Sequence, residues 1–132
     1  MQMIYKQGDF TPQLKKEIRE KEQELKKLLE TVLNEFQNVK SVRMKLEGSY
    51  DQDGEDPFQP GYCSSISLGL IDETDELIDL HTIKIWECER TLLGMPVSKN
   101  ILGSKVTGEL MDESAKKLKE EMREFVEDHM KE

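Results

Sequence analysis

Val42-Arg43-Met44-Lys45-Leu46-Glu47 and Ser65-Ile66-Ser67-Leu68-Gly69-Leu70 decide the fold, because each sets an apolar residue at every second position. That two-residue repeat belongs to a strand with one buried and one uncovered face. The first strand is expected from about Val39, with Val42, Met44, Leu46 and Tyr50 inward; the second centres on Ile66, Leu68 and Leu70. A third spans about Leu77 to Cys88. Its alternation slips, with Leu80, Thr82, Lys84 and Trp86 on one side and Ile83 and Ile85 on the other. Such a slip fits a central strand covered on both faces, or one bulged near Thr82. Between the first two strands, Asp51 to Gly61 carries Gly54, Pro57, Pro60 and Gly61 and reads as a long hairpin loop. Asp72 to Glu76 closes the second hairpin.

Outside this centre the period changes to that of helices. Thr11-Pro12 supplies a capping hydroxyl and a first-turn proline, so a helix is expected from there to Asn34 or Phe36. Its stripe is Leu14, Ile18, Leu25, Leu28, Leu29, Val32, Leu33 and Phe36, with Lys21 in a gap. Glu17–Lys21 and Glu22–Lys26 are spaced as ion pairs on a solvated face. A last helix is expected from Glu109 or Asp112 to the end, on a seam of Met111, Ala115, Leu118, Met122, Phe125 and His129 broadened by Val126 and Met130. Thr91 to Gly108 contains no acid, holds Lys99 and Lys105, and is expected to pack as a short helix or a fourth strand, or to move.

The fold class that follows is α+β. The element order is α-β-β-β-α, a three-stranded antiparallel meander, four-stranded if the 91–108 segment adds one, with both terminal amphipathic helices on one face. Length places 1–132 in a single domain, with residues 1–10 as an N-terminal lead. No apolar run approaches the roughly 18–20 residues that span a bilayer, and the start lacks a leader pattern. A cytoplasmic protein without membrane contact is expected. Cys63 and Cys88 have no CxxC partner and read as strand residues.

Charge is the polarised property. Acids outnumber bases 28 to 19, and between Glu47 and Glu89 twelve acids meet one base, Lys84. Such a field repels polyanions and draws cationic partners. The helix-strand-strand-strand-helix order is shared with double-stranded RNA-binding domains, but phosphate binding needs clustered Lys and Arg, and here the excess has the opposite sign. Asp51-Gln52-Asp53-Gly54-Glu55-Asp56 has the carboxylate alternation of a calcium loop, yet its glycine and twelfth position fall out of register, so no metal is expected there. Gly61-Tyr62-Cys63-Ser64-Ser65 lacks the last glycine of a nucleophile elbow. His81 and His129 lack zinc spacing, and no cofactor is expected.

In general character the chain resembles small acidic toxin-immunity proteins and secretion chaperones, and that resemblance implies binding without catalysis. The first expectation is therefore a non-catalytic domain that recognises a basic protein partner through Asp51, Asp53, Glu55 and Asp56 in one hairpin loop and Asp72, Glu73, Asp75 and Glu76 in the other. A second is a homodimeric structural or assembly subunit paired along Met111, Leu118, Met122 and Phe125. The third is a small-ligand protein or enzyme with a pocket under residues 91–108, lined by Tyr62, Trp86, Lys99 and Lys105.

Overall fold

A computed structural model describes residues 2–36 and 44–130, with side chains from 3 to 129 of these. One antiparallel sheet of six strands carries two helices on one face. The strands are β1 (Gln2–Lys6), β2 (Met44–Asp53), β3 (Cys63–Asp72), β4 (Leu77–Leu92), β5 (Met95–Pro96) and β6 (Lys105–Met111); the helices are α1 (Pro12–Phe36) and α2 (Ala115–Met130). Spatial order is β1-β6-β4-β3-β2, with the short β5 paired to the end of β4. The α+β class stands, while the strand count and element order need correction. Residues 2–6 are a strand on β6 and not a lead, and the acid-free segment supplies both β5 and the start of β6. The beginning of the first expected strand, at Val39 and Val42 before β2, lies outside the described residues, as does the expected end of the last helix at Lys131 and Glu132.

The helix ends follow their capping chemistry. The Thr11 hydroxyl accepts from the Leu14 amide at 3.2 Å, and Ser114 does the same for Lys117 at 3.2 Å, starting α2 several residues later than its periodicity suggests. Glu109 and Met111 belong to β6 instead. On α1 the buried residues are Leu14, Ile18, Glu22, Leu25, Leu28, Leu29 and Val32. The second half of that stripe packs with Leu118, Met122 and Val126 of α2 over Ile66, Leu68, Ile83 and Ile85. The first half covers Tyr62, Trp86, Cys88, Val106 and Leu110, with Tyr5, Phe10 and Phe58 closing the cluster. Lys21, in the gap of the stripe, donates to the Glu113 carbonyl at 3.0 Å and ties α1 to the start of α2.

Two irregularities set which residues of β4 face the helices. Opposite Ser64 and Ser65 the ladder skips Ile85, and opposite Leu70 and Ile71 it skips Ile78. An extra residue rotates the chain after it. Ile83, Ile85, Trp86 and Cys88 are thus all buried on the helix side, while Glu87 and Glu89 turn outward. β4 is the central strand, as expected, and it is also bulged, at Ile85 and Ile78 and not at Thr82.

The seam Met111, Leu118, Met122 and Phe125 is used inside the molecule. Leu118 and Met122 are buried in the core, and Met111 and Phe125 pack against it. Phe125 stacks between His81 and His129. Glu35 of α1 receives Lys119 at 2.8 Å and Arg123 at 2.9 Å from α2, and Lys119 first, then Arg123, hold its carboxyl below the usual range. No helix among the described residues is long and apolar enough to cross a membrane.

Candidate binding face

The face of the sheet away from the helices is built in rows by strand register. Glu47 stands beside Gly69 and Leu80, Ser49 beside Ser67 and Thr82, Asp51 beside Ser65 and Lys84, and Asp53 beside Cys63, Glu87 and Glu109; Glu89 follows beside Thr107. Small residues of β3 run along this face; carboxylates from β2 flank them on one side, Leu80, Thr82 and Lys84 of β4 on the other, and Glu87, Glu89 and Glu109 gather at the Cys63 end. Lys84 bonds to Glu87 at 3.1 Å. Lys6, Lys45 and Lys105 lie toward the rim. Ser67 and Thr82 share a hydroxyl bond at 3.0 Å across the two strands.

Glu87 and Glu89, two apart on β4, lie against each other. Partial burial works against ionising Glu87, yet the Lys84 ammonium and a hydrogen bond with Glu89 hold its carboxyl below the ordinary value. Glu89 is raised, first by that same bond to Glu87 and then by desolvation. Two adjacent carboxylates ionise less readily together than apart, and an added cation relieves that repulsion. Glu89 also borders a cleft of about 540 Å³ lined by Pro60, Gly61, Arg90, Pro96, Val97 and Ser98. Arg90 braces its far wall through Asn100 and Ser104, both at 3.1 Å.

The eight acids expected in hairpin loops do not form one patch, and Asp51 and Asp53 lie on β2 and Asp72 on β3 instead of in loops. The Asp51–Asp56 and Asp72–Glu76 groups sit at opposite ends of the ten-residue β3, about 30 Å apart at strand rise. Two of the acids have structural work. Asp56 bonds the Phe58 amide at 3.0 Å and pairs with Lys15 at 3.2 Å; Asp72 accepts from Thr74 N and Oγ1 and from Glu76 N, holding a tight turn. Hydrogen bonding keeps both carboxyls low, led by the Phe58 amide for Asp56 and the Thr74 hydroxyl for Asp72. Asp51, Asp53, Glu55, Glu73, Asp75 and Glu76 are exposed.

Of the expected pocket residues, Tyr62 and Trp86 are core, 1% and 0% exposed, while Lys99 and Lys105 are exposed and line no part of the cleft. Cys63 and His81 occupy opposite faces, since Cys63 pairs with Glu87 and His81 with Leu68. Burial, then the charge of Glu87, raises the Cys63 thiol. Burial pushes Cys88 up to about 11. Neither thiol is activated. Among the described residues no group of three His, Cys, Asp or Glu is placed to hold a metal ion.

One polar cluster is absent from the expectations above. Glu22 is 2% exposed, not on a solvated face, and takes the Tyr62 hydroxyl at 2.5 Å and Arg19 Nη1 at 3.2 Å. Burial first, then this bond, drives the Tyr62 phenol far above its ordinary value. Arg19 also donates to Tyr62 at 3.0 Å and to the Glu55 carbonyl at 2.6 Å. The cluster fastens the β2–β3 loop onto α1 and so holds the acidic end of the face in place. The signal was in the spacing: Ile18, Glu22, Leu25 and Leu29 step by four, three and four along the buried stripe. Glu22→Gln keeps the volume and removes the charge; because Arg19 is partly exposed, a loss of about 2 kcal/mol is expected in urea unfolding. An unchanged midpoint would mean that the cluster does not secure the loop.

Compared with models of protein families, with curated proteins and with solved structures, the chain shows no significant match to any of them.

Proposed function

We propose that the protein is a non-catalytic binding domain that recognises a basic protein partner on the uncovered face of its sheet. The observation that carries this reading is the row pattern. Glu47, Asp51 and Asp53 flank the small residues of β3 on one side, Thr82 and Lys84 stand on the other side of its serines, and Glu87, Glu89 and Glu109 gather at the Cys63 end of the face. A row of small side chains with charged borders suits contact with a surface better than enclosure of a substrate. Catalytic use of a carboxylate pair needs a site that excludes water. Glu87 and Glu89 lie partly buried on the uncovered face, and beside that burial their titration is set by each other and by Lys84, which supports binding over bond-making.

Affinity capture from the native cell extract at low and high salt tests the reading. Basic proteins released as salt rises are expected; capture that ignores salt, or that retains only neutral or acidic proteins, refutes it. A combined variant, Glu47→Gln, Asp51→Asn, Asp53→Asn and Glu55→Gln, should lower the captured partner's association rate about tenfold at low salt, within the range of electrostatic steering. Stability should stay within about 0.5 kcal/mol, because these are exposed positions. Asp56 and Asp72 are left out of the variant because their loss would disturb the loops.

The cleft beside Glu89 favours a second reading, a small cationic ligand held between Pro60, Pro96 and Val97 with Glu89 as counter-ion. Glu89→Gln separates the two, since it removes the cleft's carboxylate and leaves the β2 acids in place.

A further inference from the structure

The sheet order leaves β2 as an outer strand, and among the described residues nothing pairs with its far side. Ten residues long, β2 holds an unbroken register with β3 from Met44 to Asp53. Every second residue of an edge strand directs its amide and carbonyl outward, so β2 presents about five such residues. Proteins usually blunt an edge of this kind with a proline, a bulge, short length or lysines along it. β2 has no proline or bulge and one lysine, Lys45, near its start. The opposite edge, β1, spans only five residues.

Side chains on the uncovered face of β2 repeat at every second residue: Lys45 at the start, then Glu47, Ser49, Asp51 and Asp53. The cross-strand neighbours of the last four on β3 are Gly69, Ser67, Ser65 and Cys63, none of which is a cation. Among the described residues no ion pair engages Glu47, Asp51 or Asp53. A strand laid along the open edge would set its own side chains opposite these carboxylates at about 5 Å, the spacing at which cross-strand charge pairs act.

We propose that the outer edge of β2 is a docking edge for an extended basic segment of the partner, which adds as a further strand and places alternate Lys or Arg side chains opposite Glu47, Asp51 and Asp53. The inference rests on the basic-partner reading above and specifies the partner's conformation and sequence period. Main-chain bonds supply affinity and the alternate carboxylates supply selection, as in other strand additions. A second copy of this chain fits poorly, because β2 against β2 brings like charges together.

The test uses a ten-residue peptide of alternating lysine and threonine, and the same peptide with its backbone amides N-methylated, titrated into the full-length protein at low salt. The N-methylated form keeps the charge and cannot join a ladder. Binding of the plain peptide at least tenfold tighter than its N-methylated counterpart, with slowed hydrogen exchange at β2 amides and loss of binding in Glu47→Lys/Asp51→Lys, is expected. Equal affinity for the two peptides overturns strand addition while leaving a basic partner in place. Slowed exchange on β1 in place of β2, or self-association through β2 in sedimentation, also overturns it. If neither peptide binds, the basic-partner reading falls with it.

Discussion

Gly108→Ala is expected to destabilise the protein by about 3 kcal/mol or more, a large penalty for one methyl group. A Cβ on Gly108 would lie 2.0 Å from Trp86 Cη2 and 2.3 Å from Cζ2. The indole cannot retreat. Its Nε1–H donates to the Pro57 carbonyl at 2.6 Å, and Phe10 and Phe58 meet its ring edge-on while Tyr5 packs at a tilt. Either the ring leaves its cage or β6 moves away from β4, and each opens the cluster that joins β1, β6 and the first half of α1. Trp86 is the chain's single tryptophan, so its emission reports the outcome directly. A red shift in native buffer and a lower urea midpoint should appear together. The control is Gly8→Ala, whose added Cβ meets nothing within 4 Å. Native emission and an unchanged midpoint in Gly108→Ala would sink this account of the cluster.

The same glycine explains why part of the sheet was hard to read in the sequence. Val106, Gly108 and Leu110 occupy the helix-facing positions of β6, but a glycine in the middle breaks the apolar alternation that marks a strand. It is there to admit the indole, a tertiary requirement that local pattern does not contain. β1 escaped for another reason: five residues with only Met3 and Tyr5 alternating inward are too short to stand out. The first helix was legible because a long apolar stripe and the Thr11 hydroxyl agreed; the last was read from its stripe alone, and its start was set too early because the cap is Ser114.

The candidate face was legible only in part. Parity on β2 and β3 set Glu47 on the side of Ser65 and Ser67, but Asp51 and Asp53, expected in a hairpin loop, extend that strand to Asp53. Parity on β4 misled. Counted without interruption, Glu87 and Glu89 fall on the side of Ile83 and Ile85, and Trp86 with Lys84; the extra residue at Ile85 exchanges the two sets. A bulge has no reliable signature in a single sequence, since it is chosen by what the following side chains must reach. Here Trp86 and Cys88 must reach the cluster under α1, and the carboxylates are turned outward as a consequence. The opposed positions of the two acidic turns follow from the meander itself, since successive hairpins lie at opposite ends of the strand they share.

Leu118→Asp should cost about 3–5 kcal/mol, because it sets an unpaired carboxylate in the densest part of the core. Leu118 is 0% exposed and shares its cluster with Leu25, Leu28, Met122, Ile66 and Ile83. No described cation lies in that cluster to receive the new charge. The polar ties around α2, Glu35 with Lys119 and Arg123 and Asp79 with His129 at 2.8 Å, lie at the partly exposed margin and cannot compensate. Against the roughly 5–15 kcal/mol that holds a domain of this size, such a loss leaves the variant close to its folding threshold. Circular dichroism on heating should show a much lowered or absent transition. The result also separates an internal seam from one that joins two copies. Were the apolar side of α2 an interface between protomers, Leu118→Asp would give a folded monomer with nearly native secondary structure. Were it docked on its own sheet, helix and sheet signals would be lost together, since α2 and the second half of α1 cover the same four strand residues, Ile66, Leu68, Ile83 and Ile85. A folded, thermally unaltered variant would place α2 outside the core and return those four residues to solvent.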